Sequence, residues 1–247
     1  MNLNRLLTLG ALAFIAGCAT ADRVKALEEK VASLEEKVEA VAKGGGKAAP
    51  KDEKAEKAAA ELYEAIGKSV RSGDTDDAKA KLAEMKKKYS NTTAYRRARK
   101  IERELEVIGK AAPTSLEVEK WYTSEAKIDF ASDQPTLLVF WEIWCPHCKR
   151  EVPKMQATWD KYKGKIQMVG LTKLTRSAAE EKVVEFLKDN KVNYPIAKEN
   201  GDLSKHFNVS GIPAAAVVKG GKIVWRGHPG RLSDDMINGW LYTPSSI

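Results

Sequence analysis

Residues 136–153 read Thr-Leu-Leu-Val-Phe-Trp-Glu-Ile-Trp-Cys-Pro-His-Cys-Lys-Arg-Glu-Val-Pro, and this stretch constrains the fold more than any other. Leu137 to Trp141 is an unbroken apolar run, the mark of a buried strand. After Trp144 the pattern turns helical. Pro146 suits the first turn of a helix, where its missing N–H costs no bond. Cys145 therefore falls at a helix N-terminus, at the end of a strand. The helix dipole and the free N–H groups there favour a thiolate. Cys148 follows one turn later, so the two sulfurs can close a small disulfide ring. Such a pair is a redox switch with an activated nucleophile and a resolving thiol.

The chain has 247 residues and three cysteines, Cys18, Cys145 and Cys148. With Cys145 and Cys148 paired to each other, none is left for a structural disulfide, and the fold must hold by its core. The formal net charge is +8. Most lysines lie on helical stretches that also carry Glu, and the one dense basic run is Arg96-Arg97-Ala98-Arg99-Lys100. Without an aromatic-rich groove beside it, that run reads as a solvated helix face, and nucleic acid is not an expected partner.

Residues 1–17 carry Arg5 and an apolar run from Leu6 to Ala16, too short for a comfortable membrane span and suited to a secretory signal. The run ends in Ile15-Ala16-Gly17-Cys18, which resembles the bacterial lipobox. Cys18 is thus the expected lipidation site and the new N-terminus, tethering the protein to a membrane through its acyl chains. Ala19 in place of Asp leans towards the outer membrane. Residues 18–43 form the expected stalk. Val24, Val31 and Val38 occupy heptad position a, and Leu27, Leu34 and Val41 position d; Lys30 and Glu35 are complementary g and e residues. The pattern predicts a parallel homo-oligomer through residues 22–43. Residues 44–51, with Gly44 to Gly46 and Pro50, form a flexible linker.

Residues 52–112 read as a charged helical segment. Helices carry Leu62 and Ile66, then Leu82 and Met85, then Tyr95, Ile101, Leu105 and Ile108. The stops fall at Ser72-Gly73-Asp74 and Asn91-Thr92-Thr93. It serves as a spacer or packing element, or as a partner-binding module. The composition changes at Pro113. After the central stretch come a strand at 166–171, a helix at 177–190, an extended piece at Tyr194 to Ile196 and a brief helix at 203–207. A hairpin over 214–226 and a last helix at 233–240 complete the chain. This order predicts an α/β fold over 113–247, a mixed sheet with helices on both faces, preceded by an all-α segment and an N-terminal coiled coil.

The run from Phe140 to Lys149, Pro153 in the following helix, and Gly211-Ile212-Pro213 resemble the thioredoxin fold. The inserted strand and helix at 166–190 resemble more closely the membrane-tethered TlpA/ResA-type redoxins of bacterial envelopes. The resemblance covers about residues 114–247. It implies that Cys145 attacks and Cys148 resolves, with no cofactor. It implies that Pro213 is a cis-proline facing the pair, with Ile212 offering backbone to a substrate peptide. Trp144, Pro146, His147 and Glu151 are the residues it implies tune the thiols. Thioredoxin has a buried Asp six residues before its first cysteine, where this chain has Val139, so proton transfer falls to Glu151, Glu142 or water. His147 beside the Cys145 sulfur stabilises the reduced form. The Cys-Pro-His-Cys loop is shared with a strong oxidant at about −120 mV, against about −270 mV for thioredoxin, and an intermediate potential is expected.

Other uses of the cysteines fit less well. A zinc site lacks a second ligand pair, and no metal is expected. Haem attachment needs His directly after the second cysteine, where Lys149 stands. A peroxidase of the redoxin superfamily needs a cysteine in its own Thr-bearing loop. The expected function is therefore a periplasm-facing envelope thiol:disulfide oxidoreductase acting on protein cysteines as a reductase, with a redox partner that supplies or accepts electrons. The alternatives are an oligomeric isomerase or oxidase, or a scaffolding lipoprotein whose redox domain is secondary.

Overall fold

The computed structural model describes residues 27–33, 35 and 52–242. The signal segment, Cys18, the linker and most heptad positions lie outside these residues. Two compact units divide at Lys51 and Asp52. In the first, residues 27–33 are helical, with the seam residues Leu27 and Val31 exposed in the single chain.

The second unit begins with three helices, α1 (Glu53–Ser72), α2 (Thr75–Tyr89) and α3 (Thr93–Leu105). Each starts on a side-chain cap: Asp52 accepts from Lys54 and Ala55, Asp74 from Asp77, and Thr92 from Tyr95, satisfying N–H groups that have no partner in the helix. Gly73, at φ 78°, ends α1 in the left-handed conformation that glycine adopts freely. Ala59, Ile66, Ala78, Leu82, Met85, Ala98 and Ile101 form their shared core.

The sheet contains β1 (Lys120–Trp121), β2 (Thr136–Trp141), β3 (Gln167–Thr172), β4 (Ile196–Lys198), β5 (Ala214–Lys219) and β6 (Lys222–Gly227), in the order β1-β4-β3-β2-β5-β6. β2, β3 and β4 run parallel, while β1, β5 and β6 each pair antiparallel. β2 is central and buried along its whole length, hence its continuous apolar run. Its side chains alternate between two cores. Leu137, Val139 and Trp141 face Val152 and Met155 of α4 (Pro146–Tyr162), Val183 and Leu187 of α5 (Glu180–Asp189) and Ile237 of α7 (Asp234–Tyr242). Leu138 and Phe140 face Leu203 of α6 (Asp202–His206), together with Phe207, Phe130 and Val107.

Three expectations are corrected here. The third helix ends at Leu105 rather than running on through Ile108, because Val107 and Ile108 go to different cores, Val107 behind the sheet and Ile108 to the helices. Residues 107–112 consequently sit on the redox side of the expected boundary at 113. Their backbone pairs with β6: Gly109 N–H donates to Ile223 O at 2.8 Å, Ile223 N–H to Lys110 O at 2.9 Å, and Ala112 N–H to Gly221 O at 2.8 Å. Lastly, α5 starts at Glu180 and not at 177, since Arg176 and Ser177 adopt φ 54° and 57°. No helix among the described residues is long and apolar enough to cross a membrane.

Candidate functional site

The site sits where β2 ends and α4 begins. Cys145 is the N-cap of α4, in extended conformation (φ −86°, ψ 114°), and its Sγ accepts from the Cys148 N–H at 3.3 Å. A sulfur thus takes the place that a Ser or Asp oxygen takes at an ordinary N-cap. Pro146 opens the helix, and Pro153 lies inside it, where it removes one main-chain donor. Both cysteines are free thiols. Cys145 is 4% exposed and Cys148 fully buried. On the facing side the Ile212–Pro213 peptide is cis, and the Cys145 thiol donates to the Ile212 carbonyl at 3.7 Å. Ile212 is half-buried and Pro213 buried.

The two thiols differ in surroundings. Burial pushes the Cys148 thiol far above its usual range. The hydrogen bond to Cys145 adds to this, as do the charges of Cys145 and Glu142, while a backbone hydrogen bond from Glu142 opposes it. Cys148 therefore stays protonated at neutral pH, with Val139 and Val152 in the core around it.

Glu142, rather than Glu151, is the carboxylate acting on Cys148. Glu142 is buried and accepts from Trp144 Nε1 at 2.6 Å and from the Thr175 hydroxyl. Glu151 is engaged elsewhere. It pairs with Lys154 at 2.8 Å, and its other oxygen lies against Gly230 in the short 3-10 turn Pro229–Arg231. Its charge acts on His228, whose pKa is lowered chiefly by burial. His147 is exposed. Its Nδ1 lies 2.5 Å from an Arg150 nitrogen, and because a guanidinium only donates, that nitrogen must accept.

Trp144 is held by two further residues that the sequence pattern did not single out. Its Nε1 also lies 2.9 Å from Thr175 Oγ1, and the Arg176 guanidinium stacks 3.7 Å from its ring centroid. Holding Arg176 and Ser177 in the left-handed region costs roughly 1 kcal/mol or more per residue. A cavity of about 410 Å³ opens beside Trp144, lined by Ile143, Lys149, Arg176, Lys182 and Phe186 among others. Among the described residues no cluster of three His, Cys, Asp or Glu side chains is placed to hold a metal ion.

Strand order, strand direction and a cysteine-capped helix facing a cis-proline peptide place the chain in the thioredoxin-like class of α/β proteins. A family model described as AhpC/TSA family matches residues 108–226. The thiol-disulfide oxidoreductase ResA of Bacillus thuringiensis subsp. konkukian is 30% identical over 123 residues, 47% of this chain and 67% of that protein. Sporulation thiol-disulfide oxidoreductase A of Bacillus subtilis is 36% identical over 84 residues, 33% of this chain; the match spans 51%, about half, of that relative's length. The crystal structure of StoA from Bacillus subtilis aligns at 26% identity with a TM-score of 0.42, covering 52% of this chain and 98% of that one. The chain belongs to the family of ResA-type thiol-disulfide oxidoreductases.

Proposed function

We propose that this protein is an envelope thiol–disulfide oxidoreductase of the ResA type that reduces disulfides in protein substrates through Cys145 and Cys148. The observation that carries the reading is the asymmetry of the pair: one sulfur caps the helix beside the cis-proline peptide, the other is buried and held protonated. Cys145, as thiolate, attacks one sulfur of a substrate disulfide. The Cys145–substrate bond forms, the substrate S–S bond breaks, and the leaving thiolate takes a proton. Cys148 then loses its proton, with Glu142 the carboxylate placed to influence that step, and attacks the Cys145 sulfur. This releases the second substrate thiol and leaves the Cys145–Cys148 disulfide. Two electrons have passed to the substrate, and a redox partner restores the dithiol. Ile212 supplies backbone to the substrate segment beside Cys145. Trp144, Pro146 and His147 set the surroundings of the pair, while Glu151, on the same helix as Cys148, is held by Lys154.

The test is exchange by the full chain together with limited iodoacetamide labelling of its reduced form. The expected result is catalysed reduction of a protein disulfide, with Cys145 alkylated before Cys148. No catalysis above free dithiol, or first labelling at Cys148, overturns the reading.

The sequence supports lipid anchoring at Cys18, an outer-membrane lean and a parallel oligomer through residues 22–43. Light scattering is expected to find the form starting at Ala19 oligomeric at micromolar concentration. Leu34→Lys is expected to render it monomeric by placing like charges at the seam. A monomeric parent rejects the oligomer.

A further inference from the structure

Helix α3 ends against the loop that carries Ile212. Arg103 Nε donates to Ser210 Oγ at 3.1 Å, and Asn208 Nδ2 donates to Arg103 O at 3.2 Å and to Glu106 Oε2 at 3.1 Å. Beside this junction lies a cleft of about 550 Å³, lined by α2, α3 and Asn208. Three of its guanidiniums, Arg96, Arg99 and Arg103, recur at i, i+3 and i+7 and so share one face of α3. Arg96 donates to Asn91 O and Thr93 Oγ1, and Arg103 to Ser210, all neutral oxygens. Arg99 is exposed and has no ion-pair partner among the described residues. Of the two carboxylates in the lining, Glu102 is paired with Lys86 at 2.9 Å and Glu106 is bonded to Asn208. The lining thus holds four cations, Lys86, Arg96, Arg99 and Arg103, against the two carboxylates Glu102 and Glu106, and keeps a net positive charge of two. Two residues of the basic run that reads as a solvated face in the sequence, Arg96 and Arg99, line it.

The cleft is also close to the reacting sulfur. From Arg103 through Ser210 and Ile212 to the Cys145 Sγ, the path is on the order of 20 Å at most, and Arg99 and Arg96 lie about 6 and 10 Å further back along α3, so the span is about six to nine residues of extended chain.

We infer that this cleft is a second substrate contact, which takes an acidic segment of the protein substrate lying about six to nine residues from its reacting cysteine. The inference rests on the oxidoreductase reading and names a substrate class for it. The helical segment is then part of the recognition surface of the redox site. Exposed guanidiniums steer and orient an acidic partner more than they add affinity, and salt screens them.

The experiment uses the reduced full chain and two synthetic peptides. Each carries one cysteine as its mixed disulfide with 2-mercaptoethanol, and either three Asp or three Lys about six to nine residues away. Reduction gives the peptide thiol, 2-mercaptoethanol and the Cys145–Cys148 disulfide. At low salt the second-order rate constant is expected to favour the Asp peptide by roughly fivefold to tenfold. The preference should fall towards unity in about 1 M salt and reverse in Arg96→Glu/Arg99→Glu. A conservative Arg99→Lys control should retain it. Equal rates for the two peptides, or a preference unmoved by both salt and charge reversal, overturn the inference while exchange itself continues. Absence of reaction with either peptide overturns the oxidoreductase reading and the inference with it.

Discussion

Cys148→Ser is expected to stop the reaction halfway, and Cys145→Ala at its start. With Cys148→Ser, a disulfide substrate should accumulate as a covalent adduct on Cys145, seen by intact mass and lost on adding dithiothreitol. With Cys145→Ala no adduct should form, and exchange should fall roughly a thousandfold or more, the scale of removing a nucleophile. The reason is geometric. Cys145 meets the Ile212 carbonyl at the substrate side, whereas Cys148 is fully buried and its thiol is held protonated. An incoming disulfide cannot reach Cys148, but the Cys145 sulfur can. The pH dependence follows with the same sign. The Cys148 pKa is raised, so resolution of the adduct should quicken as pH rises above neutrality. Glu142→Gln removes one of the charges raising it and should quicken resolution at a fixed pH. An adduct on Cys148 in Cys145→Ala, or no adduct in Cys148→Ser, would reverse the assignment.

Gly170→Ala is expected to destabilise the protein by about 2–3 kcal/mol through overpacking, lowering Tm by roughly 5–10 °C. Gly170 lies in β3, between Val139 of β2 and Ile196 of β4. A methyl there would come 2.3 Å from Ile196 Cδ1, 3.2 Å from Tyr194 Cε2 and 3.5 Å from Trp141 Nε1. All three side chains are essentially fully buried, so none can swing into solvent. Ile196→Val removes the atom in the worst clash, and the two changes together should cost less than their sum. Strict additivity in thermal melts, or a Tm change under about 2 °C, would show that the core yields more easily than its packing implies.

The centre of the fold was legible because β2 and α4 advertise themselves locally. A strand buried on both faces must be apolar throughout, and a cysteine followed by proline marks the helix start. The remaining parts of the site come from distant sequence. Thr175 and Arg176 reach Trp144 from the loop after β3, and no local pattern announces such a meeting. Glu142 and Glu151 flank the cysteines at similar distance in sequence, yet one enters the core and the other joins Lys154 and the Pro229–Arg231 turn. Strand direction and helix rotation separate them, and neither is written in spacing alone. β1 spans only Lys120–Trp121, too short for alternation to register. Val107 and Ile108 prolong the apolar stripe of α3 in sequence, so the turn at Gly109, with φ 91°, was hidden by a pattern that suited a longer helix.

That turn has a consequence for the integrity of the sheet. An unpaired outer strand offers its N–H and C=O groups to any extended chain it meets, its own copies included. Residues 109–112 occupy part of the outer side of β6, and Val107 fills the core behind the sheet. The helices upstream hold that strap in place, with α3 clamped by the Arg231–Glu104 ion pair at 2.9 Å. The helical segment 52–112 is therefore also a guard against β-aggregation. A fragment released at Pro113 would lose the strap itself, whereas one released at the end of α3 would keep residues 109–112 but lose the helices that hold them.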